Sequence, residues 1–85
     1  VGEIGLDYFH ANSGRSTQIR MFEKFLDLSI SSKLPAIVHC RDAEGTEKAY
    51  EDAGALLKGF ADSGGRFAIH CFTGTTRWAD EFLEM

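Results

Sequence analysis

The chain has 85 residues, 44% of them hydrophobic, and a formal net charge of −4, which excludes a broadly basic nucleic-acid-binding surface. It does not exclude a nucleic-acid substrate, because bound divalent ions can supply the positive field locally. No charged leader precedes an apolar core, and no apolar run approaches the ~20 residues of a membrane span, so the sequence reads as soluble, without a membrane partner.

Val1 to Leu6 reads as a first strand, and its Gly2 and Gly5 mark a bend or a close backbone approach. Glu3 is then a carboxylate inside a strand, a position that asks for a partner or a ligand. Asp7 to Gly14 is a polar loop with turn chemistry at Asn12-Ser13-Gly14. His10 lies in that loop and reads as exposed, with no evident partner.

Ser16 or Thr17 can cap a helix running to about Ser32, whose stripe of Ile19, Phe22, Phe25, Leu26 and Ile30 would face a sheet. Pro35 stops that helix and admits a strand, Ala36-Ile37-Val38, that ends in His39-Cys40-Arg41-Asp42. An imidazole, a thiol, a guanidinium and a carboxylate thus follow a short β-branched run. A second helix is expected from Asp42 or Glu44 to about Ser63, with Ala49, Ala53, Leu56 and Phe60 inward and Gly64-Gly65 closing it.

Arg66 to Phe72 is the third strand, and its Ile69-His70-Cys71 repeats Val38-His39-Cys40 at a distance of 31 residues. Thr75 or Thr76 then caps a last helix through Trp78 to Met85. Both ends of the sequence fall inside expected elements, so it reads as an internal piece of a longer protein.

The order β-α-β-α-β-α implies an α/β fold with a parallel sheet and right-handed crossovers. Spacings of 36 residues from Glu3 to His39 and 31 from His39 to His70 suit a (β/α)8 barrel of about 250 residues, of which about three β-α units are present. A doubly wound open sheet is the alternative, although its G-x-G-x-x-G turn is missing.

Ligands gather at the carboxyl ends of parallel strands. Glu3, His39 and His70 come from three successive units, and one carboxylate with two imidazoles is a donor set for Zn²⁺, Mn²⁺ or a similar ion. Such an ion would give a water nucleophile near neutral pH. The alternative is a pair of hydrogen-bonded structural histidines. Strand alternation sends Cys40 and Cys71 to the other face, toward the helices, where they read as packed free thiols of a reducing compartment, cytoplasmic or nuclear. Arg41 shares the His39 side and can reach a phosphate, or else pair with Asp7, Asp42 or Glu44. Asp7 can orient a histidine from behind or serve as a turn residue.

Gly2-Glu3-Ile4-Gly5-Leu6-Asp7, Gln18 with Phe22, Pro35 through Ala43 and His70-Cys71-Phe72-Thr73-Gly74 together resemble the TatD-related metal-dependent deoxyribonucleases, within the amidohydrolase-like TIM barrels. The resemblance runs through nearly all of the chain. It implies a two-metal phosphodiesterase acting on DNA, in which Glu3 bridges two divalent ions (Mg, Mn or Zn) and His39 and His70 hold one of them. The other ion's His-x-His pair, and the late-strand Asp that transfers protons, lie outside these residues, so the general base is not among them. Residues 1–85 would then be a fragment of a single hydrolase domain, with no obligate protein partner. Another amidohydrolase-type enzyme acting on amides or esters is the alternative, as is an inactive fragment or interaction module with open strand edges.

Overall fold

The computed structural model describes residues 1–10, 14–70, 72 and 74–85. Strands β1 (Ile4–Asp7), β2 (Ala36–Arg41) and β3 (Phe67–Ile69) alternate with helices α1 (Arg15–Ser32), α2 (Lys48–Asp62) and α3 (Thr76–Leu83). The sheet is parallel, in the order β1-β2-β3, with Ile4 beside Val38 and Val38 beside Ile69.

Alternation along the strands separates two unlike faces. Ile4, Leu6, Ala36, Val38 and Cys40 are buried on one, in a single core with Phe22 and Leu26 of α1, Ala49, Ala53 and Leu57 of α2, and Trp78 and Phe82 of α3. The other face carries Glu3, Asp7, Ile37, His39, Arg41, Ala68 and His70, and no helix among the described residues packs on it. Ile37 stays 38% exposed there. Helices on one side of a sheet wound in sequence order are what a barrel wall requires, so these are three successive β-α units of a (β/α)8 barrel. A doubly wound sheet would carry helices on both faces.

Several boundaries differ from the sequence expectation, each for a local reason. Helix α1 begins at Arg15 behind Gly14, which takes the cap position in place of Ser16 or Thr17. It ends at Ser32 as expected, but the stop is the left-handed Lys33 (φ 58), where the Lys33 and Leu34 N–H groups turn back to Ile30 and Ser29 carbonyls, before Pro35 can act. Ser29 is buried and donates to the Leu34 carbonyl, whereas Ile30 is 37% exposed.

Helix α2 starts at Lys48, not at Asp42 or Glu44, because Gly45 (φ 79) turns the chain out of helical geometry. Asp42 still caps it from a distance, accepting hydrogen bonds from the Ala49 and Tyr50 N–H groups at 2.8 and 3.1 Å. Leu57 is fully buried and Leu56 only partly. Gly64 and Gly65 close the helix as expected, donating to Ala61 and Phe60 carbonyls.

The outer strands are shorter than expected. Strand β1 begins at Ile4, although Val1 already bonds to Pro35 and Ile37, and β3 ends at Ile69. The expected Asn12-Ser13 turn, and the Cys71 and Thr73 positions, lie outside the described residues. Helix α3 follows the Thr75 cap position and stops at Leu83, short of Met85.

Candidate active site

The bare face and the carboxyl ends of the strands hold the chemistry-bearing side chains in two pairs. Glu3 Oε2 lies 3.4 Å from His70 Nε2, and both side chains are about half exposed. Glu3 stands just before β1 and His70 just after β3, so they meet across β2. His39 Nε2 lies 3.0 Å from Asp7 Oδ2, joining β2 to the end of β1.

The sheet brings these strands close by leaving no side chain between them at one point. Gly5 faces His39 in the register, and a Cβ at Gly5 (φ +139) would stand 1.9 Å from the His39 carbonyl oxygen. Only glycine fits there.

Asp7 is the most engaged group of the site. Its carboxylate accepts the His10 backbone N–H at 2.9 Å and meets His10 Nδ1 at 2.6 Å in addition to His39. Its partial burial favours the neutral acid, but the hydrogen bonds from the His10 backbone and from the two imidazoles outweigh that and hold its pKa down at about 2. Its backbone is clamped as well: Gln18 Oε1 accepts the Asp7 N–H at 2.8 Å, and Gln18 Nε2 donates to the Asp7 carbonyl at 3.2 Å. The loop histidine His10 is exposed as expected, yet it has a partner in Asp7.

A second polar cluster ties Tyr8, just after β1, and Arg15, at the start of α1, to α2. Asp52 of α2 accepts the Tyr8 hydroxyl at 2.7 Å and two bonds from Arg15 at 2.7 and 2.8 Å. The Arg15 fork holds the Asp52 carboxyl below its ordinary range. Burial and then the Asp52 carboxylate push the Tyr8 phenol up to about 12. Nothing in the local sequence announces this cluster, whose members lie up to 44 positions apart.

Arg41 makes no ion pair among the described residues. Of the three acids that could have taken it, Asp7 holds two histidines and Asp42 caps α2. Its guanidinium instead sits 3.9 Å from the centre of the Phe9 ring. Cys40 is a free, buried thiol pushed up to about 12, by burial first and then by nearby carboxylates, so it packs and does not react.

The fit to a metal ion is partial. A separation of 3.4 Å between Glu3 Oε2 and His70 Nε2 suits two neighbouring ligands on an ion with bonds of about 2.0–2.2 Å. Glu3 and His70 thus qualify in chemistry and in spacing. Among the described residues, however, no three His, Cys, Asp or Glu side chains come together as one ion's ligands. His39 is turned toward Asp7, apart from the Glu3–His70 pair.

A one-sided parallel sheet whose bare face carries carboxylates and imidazoles is a stretch of (β/α)8 barrel wall with a polar interior. The profile of the TatD related DNase family matches residues 1–85, and the chain belongs to that family. It is 36% identical over 75 residues to the 3'-5' RNA nuclease TATDN2 of Homo sapiens, covering 87% of this chain and 9% of that protein. It is 37% identical to the uncharacterized metal-dependent hydrolase YabD of Bacillus subtilis, covering 100% of this chain and 31% of YabD. With the 3'-5' ssDNA/RNA exonuclease TatD of Citrobacter rodentium it shares 34% identity, over 99% of this chain and 30% of that enzyme. The chain therefore spans less than a third of the length of these relatives. No helix among the described residues is long and apolar enough to cross a membrane.

Proposed function

We propose that residues 1–85 are one segment of a single metal-dependent hydrolase domain that cleaves phosphodiester bonds of DNA. The observation that carries this reading is the Glu3–His70 pair, an acid and an imidazole from different strands held 3.4 Å apart on the bare face of the sheet. Family membership and the nuclease names of the relatives support it.

In this reading Glu3 and His70 would hold one divalent ion, Mg, Mn or Zn, and His39 would join them through Nδ1 while its Nε2 keeps the Asp7 carboxylate. Glu3 would also serve a second ion whose other ligands come from outside these residues. Bound ions there would supply a water nucleophile near neutral pH and charge to balance the transferring phosphoryl oxygens. Asp7 fixes the His39 ring from behind, and Gln18 fixes Asp7. Arg41 meets the substrate. The general base comes from outside the segment, and the buried Cys40 thiol suits a reducing, cytoplasmic setting.

The test is a His39→Ala, His70→Ala double variant of the complete polypeptide, measured by calorimetric metal titration and by cleavage of a single-stranded oligodeoxynucleotide. Stoichiometric metal binding should be lost, and cleavage should fall by at least about a thousandfold, several kcal/mol of transition-state stabilisation. Metal-dependent cleavage retained near the wild-type rate would overturn the assignment.

A further inference from the structure

We propose that Phe9 and Arg41 form a nucleobase-stacking subsite, so that this site grips its nucleic acid by an unstacked base as well as by phosphates. The inference rests on the nuclease reading above and deepens it.

Four observations converge. The Arg41 guanidinium stands at stacking distance, 3.9 Å, from the Phe9 ring centre, and Phe9 is 47% exposed and outside the core, with the His10 ring edge-on to it at 5.1 Å. Both residues line a cleft of about 370 Å³ with Thr75 and Trp78, formed by the loops after the three strands, where barrel ligands sit. Arg41 is the cross-strand partner of Asp7 and shares the bare face with His39, two residues away, which puts the stack beside the candidate metal ligands. Finally, the acids that line this cleft are engaged or exposed. Asp42 caps α2, Glu47 accepts from Trp78 Nε1 at 3.2 Å and pairs with Arg77 at 3.7 Å, and Glu44 is exposed.

These acids disfavour a phosphate in the cleft, whereas a neutral base is not repelled. An aromatic ring backed by a guanidinium accepts any of the four bases, because each has a π-face, and it accepts them only when they are out of a duplex stack. The guanidinium keeps its N–H edges for the flanking backbone while its face serves the base. The subsite therefore selects single strands over duplexes without reading sequence.

The test uses the complete polypeptide, steady-state cleavage of a single-stranded oligodeoxynucleotide, and an abasic strand of equal length. Phe9→Ala should raise KM for the base-bearing strand about tenfold, the equivalent of about 1.4 kcal/mol of base–aromatic stacking, with the loss in KM more than in kcat. Arg41→Lys, which keeps the charge and loses the flat fork, should show the same loss, and Phe9→Trp should restore binding. On the abasic strand the difference between wild type and Phe9→Ala should vanish. A Phe9→Ala KM within twofold of wild type, or an equal loss on the abasic strand, would overturn the subsite while leaving the nuclease reading intact. A wild-type protein that cleaves no nucleic acid overturns the nuclease reading itself. Thermal melting of each variant guards against misfolding, since Phe9 lies outside the core.

Discussion

The two faces of the sheet are built from the same three strands and alternate residues, yet they are under opposite physical demands. On one, Leu6 and Val38 are almost wholly removed from water, as are Phe22 of α1 and Leu57 of α2, whose helices cover that apolar surface. On the other, Glu3, Asp7, His39 and His70 keep between 28% and 57% of their side-chain surface exposed, and each is satisfied by a partner from another element. The difference teaches that the fold's energy and its chemistry are segregated by the pleat. One residue of shift in register would exchange them.

Three changes break or sharpen that separation. The largest effect is expected on the apolar face: Phe22→Ala should destabilise the protein by about 3–5 kcal/mol, read from denaturant unfolding, because a buried ring leaves a cavity between α1 and the sheet. A cost below about 1 kcal/mol would mean that α1 is not seated as described. On the polar face, Asp7→Asn should cost little stability at neutral pH by comparison and should weaken metal binding by about 10- to 100-fold, since His39 loses the carboxylate that fixes its ring. Calorimetric titration measures it, and unchanged affinity would show that Asp7 is a turn residue only.

The smallest effect is on acid stability. The Asp7 pKa is held at about 2 in the folded chain against an ordinary carboxyl value of 3.8, so its charged, hydrogen-bonded form adds stability above pH 3.8. That contribution, on the order of 1–2 kcal/mol after screening, is lost as pH falls from about 4 to about 2. Unfolding free energies measured across that window should fall in the wild type and fall less in Asp7→Asn. Parallel curves for the two proteins would place the acid sensitivity elsewhere, at Asp52 for instance.

Local pattern was sufficient for much of this. The β-α order, the strand cores and the inward positions Phe22, Leu26, Ala49, Ala53 and Phe60 follow from periodicities of 2 and 3.6, which backbone geometry imposes on any chain that must bury one face. The assignment of Cys40 to the helix side and His39 to the other came from the same alternation. At the start of α2 and in the way α1 stops, a single backbone state decided the outcome. Gly45 and Lys33 adopt left-handed conformations that a propensity argument assigns to glycine in general but not to lysine. The exchange of Leu56 for Leu57, and of Ile30 for Ser29, reflects the angle at which each helix meets the sheet, a property of two elements together.

The candidate site divides in the same way. Glu3, His39, His70, Arg41 and Asp7 were legible because chemistry-bearing residues at successive strand ends stand out against an apolar run. Their partners were not. That Asp7 takes both His10 and His39, that Asp52 gathers Tyr8 and Arg15, and that Arg41 turns from its cross-strand acid to Phe9 depend on distances between residues far apart in the chain. By itself, then, the sequence determined which residues alternate, which face is apolar and which family the motifs resemble, since these are properties of spacing along one strand or helix. Only the tertiary structure decided who pairs with whom, because a hydrogen bond or a stack forms over a few ångströms and is set by how separate elements are packed.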